Sequence, residues 1–204
     1  MTDREPLLAP FVAALGQALE RAAPSVRRHL ALAGREALHR GAIRRMWRRG
    51  PLGSVAGGLL QLEGTGITGA RFELRNEIVP DLRGGAAMVW QRTHYVNSRP
   101  VSGVGLLRWD AARNVLVDEI GERKWLEVEL TPSLEGRAVT MRSGRQWLRI
   151  AGLRLRLPRL LVGGARTREW EEPDGRLGLS LTLHHPLFGD YAGYEAVLAP
   201  GNPS

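Results

Sequence analysis

The most chemical arrangement in this sequence lies in residues 87–96, where a strand would place Met88, Trp90, Arg92 and His94 on one face. Gln91, Thr93 and Tyr95 would take the other face. An arginine held between a tryptophan and a histidine on a buried face needs a carboxylate, because an unpaired buried charge is very costly. Glu119 and Glu169, each in a strand-like run, are the expected partners. Such a pair could orient the anionic or carbonyl group of a ligand, or serve as a structural ion pair at the end of a sheet. The predicted ligand-binding residues are therefore Trp90, Arg92, His94 and Glu169, together with His185.

His185 enters through the run Leu177–His185. There Leu179, Leu181 and Leu183 share its face, while His184 points the other way with Ser180 and Thr182. It precedes Pro186, where the strand must turn, and reads either as a proton shuttle or ligand contact or as a core histidine bonded to backbone. If the protein is an enzyme, His185, Glu119 and Tyr194 are the candidate acids and bases. The five histidines form no metal cluster, and no metal or other cofactor is expected. Gly64-Thr65-Gly66-Ile67-Thr68-Gly69 spells a dinucleotide-binding fingerprint, but Arg71–Ile78 alternates like a strand where that motif needs a helix. It reads instead as a glycine-rich connection. There is no G-x-S-x-G, H-E-x-x-H or Walker sequence, and Glu127 and Glu129 read as an exposed strand face.

The elements that would position these groups are mostly strands. Residues 7–22 have Leu8, Val12, Leu15 and Leu19 at helical spacing, ended by Pro24. Ser25 would cap a second helix closed by Gly34. Gly41–Gly50 is ambiguous between helix and strand, and 51–62 reads as a short helix or apolar loop. From residue 66 the period changes to two, with strand candidates around 71–78, 87–96, 103–109, 114–120, 126–130, 138–149, 153–157, 165–171, 177–183 and 193–199. Turn signals at Asp110–Asn114, Glu135-Gly136 and Pro173-Asp174-Gly175 separate several of them. The prediction is a mainly β protein: a single domain over 1–204, with two N-terminal helices in 1–35. A curved antiparallel sheet or β-barrel of about eight to ten strands fills 66–199, and residues 200–204 form a disordered tail.

Composition narrows the class. The 204 residues are 43% hydrophobic and 25% charged, the balance of a globular protein. The absence of cysteine excludes disulfides, thiolate metal sites and cysteine nucleophiles. No apolar run approaches the ~20 residues of a membrane-spanning helix, and the N-terminus does not read as a secretory signal, so a cytoplasmic location is expected. The net charge is +8, and residues 26–50 alone carry +7. Arg40, Arg44, Arg45, Arg48 and Arg49 are the predicted basic surface, suited to an acidic partner or an anionic membrane surface. Only Trp47 accompanies them, and arginine outnumbers lysine 28 to one across the chain, so nucleic-acid binding is not favoured. Five of the six tryptophans lie in the strand region, which suits a thick core or a cavity lining.

Pro24-Ser25-Val26-Arg27-Arg28-His29, Arg49-Gly50-Pro51-Leu52, Trp90-Gln91-Arg92 and Asp118-Glu119-Ile120-Gly121 occur in this order. They end in His185-Pro186-Leu187-Phe188-Gly189-Asp190-Tyr191-Ala192-Gly193-Tyr194-Glu195. The chain thereby resembles, over about residues 20–199, the bacterial family called domain of unknown function 4166. Members of that family often follow a saccharopine-dehydrogenase-like or epimerase-like domain. The resemblance therefore implies a module that presents a lipophilic substrate to an oxidoreductase partner. Three functions are carried forward: a module holding a lipophilic small molecule in a barrel cavity, a cofactor-free isomerase or cyclase using the same pocket, and an interaction protein docking through 26–50.

Overall fold

A computed structural model describes residues 8–32, 36–59, 66–121 and 123–201. Eleven strands form one antiparallel sheet: β1 (Glu36–Arg48), β2 (Arg71–Pro80), β3 (Ala86–Val96), β4 (Arg99–Asp110), β5 (Val115–Ile120), β6 (Leu126–Glu135), β7 (Ala138–Ile150), β8 (Leu153–Leu157), β9 (Gly164–Glu171), β10 (Leu177–His185) and β11 (Gly189–Gly201). Each pairs with its sequence neighbour through most of the fold, and β1 pairs with β11 to join the two ends. Ten strands thus close into an up-and-down barrel, each with a partner on both sides along at least part of its length. β8 is the exception. β9 takes the first half of the free edge of β7 (Val139–Arg142) and β8 the second (Gln146–Ile150), so the β7–β8 hairpin projects from the wall.

All the strand candidates from residue 71 onward are strands, and the ambiguous Arg-rich segment supplies the additional one, β1. Its alternation is obscured by a bulge between Ile43 and Arg45, which turns Arg44 and Arg45 outward while Ile43 and Met46 stay buried. β11 runs through Pro200 and Gly201, so the expected tail begins no earlier than residue 202, outside the described residues.

Four helices accompany the barrel: α1 (Pro10–Leu15), α2 (Pro24–Ala31), α3 (Gly50–Leu59) and α4 (Arg159–Val162). The single helix expected over 7–22 is two pieces, because Gly16 sits at φ 50° and the chain continues as a 3-10 turn over Gly16–Arg21. Pro24 opens α2 as its first residue, a position where its missing N–H costs nothing. Leu32, at φ 45°, closes that helix, and Gly34 lies outside the described residues. α1 and α2 stopper one end of the barrel. Phe11 packs edge-on against Trp90 at 5.9 Å, Ala23 N–H donates to Arg137 in the β6–β7 turn, and Ser25 N–H donates to Glu171.

Cross-strand partners share a face, so the register defines the interior. Ile43, Met46, Phe72, Leu74, Met88, Leu107, Leu116, Met141, Leu179 and Leu198 are fully or nearly fully buried there. Toward the end opposite the helices, the inward-facing Arg92, Val101, Gly103, Ile120 and Leu126 keep partial solvent access. Of the glycine stretch, 64 and 65 lie outside the described residues. Gly66 and Gly69 donate to carbonyls of Met46 and Ile43 on the way into β2, which is a strand and supplies no helix N-terminus.

Candidate functional site

The inner face of β3 carries Met88, Trp90, Arg92 and His94 from the helix-capped end to the opposite end, as the spacing predicts. Arg92 stands opposite Leu74 on β2 and Gly103 on β4. Its partners differ from the expected ones. Burial opposes its charge, but interaction with Tyr194 and then with the Asp118 carboxylate outweighs that and raises its pKa. Asp118 acts on Arg92 through its field from β5, one strand further away, without a hydrogen bond or ion pair between them. Its Oδ1, which has no hydrogen-bond partner, lies over Gly105 of the intervening strand. A Cβ at position 105 would lie 2.5 Å from Asp118 Oδ1. Burial pushes the Asp118 carboxyl up to about 6, Arg92 opposing that rise and Glu119 adding to it. Arg92 thus stands in an apolar wall under the electrostatic influence of Tyr194 and Asp118, with its guanidinium 6.0 Å from the Trp90 ring centre.

A second polar group lies beneath α2. His29 from that helix meets His39 of β1 (ring centres 4.8 Å apart), Asn76 of β2 and Glu169 of β9. His29 and Glu169 are completely buried, and His29 Nε2 is 3.7 Å from a Glu169 oxygen and 3.3 Å from Asn76 Nδ2. The Asn76 amide donates to His29, which suits a neutral imidazole. Burial, reinforced by His39, lowers the His29 pKa well below its ordinary value. Burial and then Arg28 lower His39 to about 4, and burial raises Glu169 to about 8. Among the described residues, both Glu169 oxygens, Asn76 Oδ1, His39 Nδ1 and Trp90 Nε1 have no hydrogen-bond partner.

The other predicted residues are placed elsewhere. Glu119 lies on the outer wall, paired with Leu106 in register. Arg108 donates to it at 2.7 Å and Arg149 at 3.0 Å. Burial alone would raise its pKa, but Arg108, Lys124 and Arg149 lower it to about 2. It is a structural anion in an ion-pair lattice, not a partner of Arg92. Glu127 and Glu129 belong to the same wall, covered by Arg149, Arg154 and Arg113 rather than left exposed. His185 is buried in the β10–β11 turn with both ring nitrogens engaged: Nδ1 accepts from Leu187 N–H, so Nε2 donates to the Leu160 carbonyl. Phe188 stacks on its ring at 4.7 Å. His94 is buried opposite Phe72, and Glu169 joins the His29 group instead of Arg92. Sequence reasoning missed Asp118, His29, His39 and Asn76. The alternation Leu116–Asp118–Ile120 and Phe72–Leu74–Asn76–Ile78 carried the signal for two of them.

The predicted basic surface is largely committed to the fold. Arg40 pairs with Glu73, Arg44 forks onto Glu172, Arg45 lies over Trp47 at 5.1 Å, and Arg48 packs against Gly57 of α3. Arg49 is exposed.

The fold and its interior define a small antiparallel β-barrel with ionisable groups set into an apolar lining. The chain belongs to the family described as "Domain of unknown function (DUF4166)", whose model matches residues 23–198. It is also similar to the uncharacterized protein YndH of Bacillus subtilis (strain 168), with 34% identity over 109 residues. That match covers 52% of this chain and 53% of the relative, about half the length of each. Among the described residues no helix is long and apolar enough to cross a membrane.

Proposed function

We propose that the barrel holds a small lipophilic molecule whose polar head, a carboxylate or carbonyl, engages Arg92 and Tyr194. The observation that carries this reading is a charged, partly solvent-accessible guanidinium facing inward from an apolar wall. Its cross-strand neighbour Gly103 and the next inward position, Gly105, contribute no bulk, and Leu74, Ile120, Leu126 and Trp90 offer apolar surface to the body of the ligand. Ligand sites commonly combine an apolar lining with few convergent polar groups. In the family resemblance, such a barrel would present its ligand to an oxidoreductase partner.

An anionic head would compete with Asp118 for Arg92. Because that carboxyl titrates near 6, it takes up a proton as the anion arrives, and affinity falls as pH rises through that value. The test is titration with anilinonaphthalene sulfonate, an aromatic body with one anionic head, read by energy transfer from tryptophan. A Leu160→Ser/Phe188→Ser background removes exposed apolar side chains as competing sites. Binding is expected to weaken about tenfold between pH 5 and pH 8. Asp118→Asn should flatten that dependence and Arg92→Gln should weaken binding by about tenfold or more. Equal affinity in wild type and Arg92→Gln would remove the reading.

A cofactor-free isomerase is the second reading, favoured by Asp118 as an inward-facing base that titrates at about 6. It moves the base from Glu119 or His185 to Asp118. Its readout is solvent deuterium entering a C–H of the bound ligand, lost in Asp118→Asn.

A further inference from the structure

The end of the barrel away from α1 and α2 carries an unusual surface. Exposed large apolar residues gather there: Ile150, Leu153 and Leu155 on the β7–β8 hairpin, Leu160 and Leu161 on α4, and Leu187 and Phe188 in the β10–β11 turn. Val55 of α3 is exposed at the same end, whereas Leu8 and Leu82 are the exposed ones at the helix-capped end. These segments adjoin one another. His185 ties the α4 carbonyl of Leu160 to the turn and stacks on Phe188, and the Tyr191 hydroxyl donates to Val162. On the hairpin, Ile150 faces Leu153 across the strand pair and Leu148 faces Leu155, so its inner face continues the barrel lining into solvent.

The charge around this rim is mostly positive, although the β10–β11 turn also exposes Asp190, which pairs with His184. Residues 145–168 contain seven arginines and no acidic residue. Arg149 and Arg154 pair with Glu119 and Glu127, while the guanidinium groups of Arg145, Arg156 and Arg159 enter no ion pair among the described residues and only the Arg145 backbone N–H donates to Glu129. With Arg113, those three line an open groove of about 910 Å³ whose lining holds one carboxylate, that of Glu129. Contiguous exposed apolar side chains mark an interaction surface. Apolar tips beside arginines match a bilayer interface, where the tips enter the acyl boundary and the cations meet phosphates. A second copy of the chain fits poorly, since two such rims would oppose arginine to arginine.

We propose that this rim docks the protein on an anionic lipid bilayer, with Leu160, Leu161, Leu187 and Phe188 inserted and Arg145, Arg156 and Arg159 on the lipid phosphates. The same end holds the solvent-accessible inward residues around Arg92, so docking would turn the barrel lumen toward the membrane. The docking argument itself does not depend on the lumen's having a ligand.

The test is co-sedimentation of the full chain with vesicles of mixed phosphatidylglycerol and phosphatidylcholine, against phosphatidylcholine alone, at about 0.1 M salt. Binding to the anionic vesicles is expected. It should fall about tenfold or more in Leu160→Ser/Leu161→Ser/Phe188→Ser, and likewise in Arg145→Gln/Arg156→Gln/Arg159→Gln. All six side chains are exposed, so thermal melts of both variants should match wild type. No binding to anionic vesicles would overturn the proposal. So would binding that the serine variant leaves unchanged, which is adsorption through net charge alone, or a concentration-dependent dimer that the serine variant abolishes.

Discussion

Arg92→Met is expected to destabilise the barrel by about 1–3 kcal/mol at pH 8, and by clearly less at pH 5. Arg92 supplies the positive charge that holds the buried Asp118 carboxyl down to about 6. Without it, Asp118 climbs further above its unfolded value of about 3.9. A folded acid with a raised pKa costs nothing while both states are protonated. The cost builds as pH rises through the unfolded value and is complete above the folded one. Both proteins bear the same cost up to about pH 6, so the variant's deficit relative to wild type grows from about pH 6 upward, where Asp118 ionises in the folded wild type and not in the variant. Adding Asp118→Leu should restore most of the loss, because it removes the buried carboxyl whose charged form the Arg92 guanidinium favours. Urea unfolding of the single and double variants at pH 5 and pH 8 measures this. An equal deficit at both pH values would mean that Arg92 and Asp118 are not coupled as described.

Glu169→Gln should do the opposite and stabilise the protein by about 3–5 kcal/mol at pH 8. Glu169 is completely enclosed by His29, Asn76 and apolar residues, and its carboxyl is raised to about 8. Between about pH 6.5 and 8 the folded His29–Glu169 pair holds one proton, wherever that proton sits, while the unfolded chain holds none. Wild-type stability therefore falls across that window at up to about 1.4 kcal/mol per pH unit. Below pH 6.5 the unfolded state protonates both His29 and His39, whose folded pKa values are lowered, so stability gains a component that falls with acid. From about pH 4.5 to 6 the histidines and the two carboxyls, Glu169 and Asp118, pull against each other and the profile is nearly flat. Glutamine resembles the protonated acid, so the variant should lose the decline between pH 6.5 and 8. Thermal melts across pH 4–9 read this directly, and an unchanged alkaline slope would show that Glu169 is not the titrating group.

The strands downstream of residue 70 could be read from the sequence because each shows a dry side and a wet side at period two. β1 could not, since Gly41 removes one inward side chain and the bulge at Ile43–Arg45 shifts the alternation partway along. Closure into a ring depends on pairing Leu38 with Gly201, a contact between chain ends that no local pattern encodes. The same distinction governs the site. Trp90, Arg92 and His94 share a face as their spacing requires, but the choice of carboxylate went astray. Glu119 alternates with Leu116 and Ile120 and so faces outward, whereas Asp118 keeps their side, with its carboxylate lying over Gly105 of the neighbouring strand. His29 reaches the interior from a helix laid across the barrel end, which a strand-by-strand reading cannot place. Tyr194, a candidate acid or base, interacts with Arg92 across the barrel, a pairing that no local pattern encodes.

The most direct measurement is native mass spectrometry of freshly purified protein, followed by solvent extraction, on wild type and on the Arg92→Met/Asp118→Leu double variant. The double variant keeps an apolar wall while removing the polar anchor. A discrete lipophilic mass retained by wild type and lost from the folded double variant is the predicted result. Equal occupancy in both, or a wild type that stays free of ligand and binds none of the extracted lipid on re-addition, would contradict a polar-headed ligand held at Arg92.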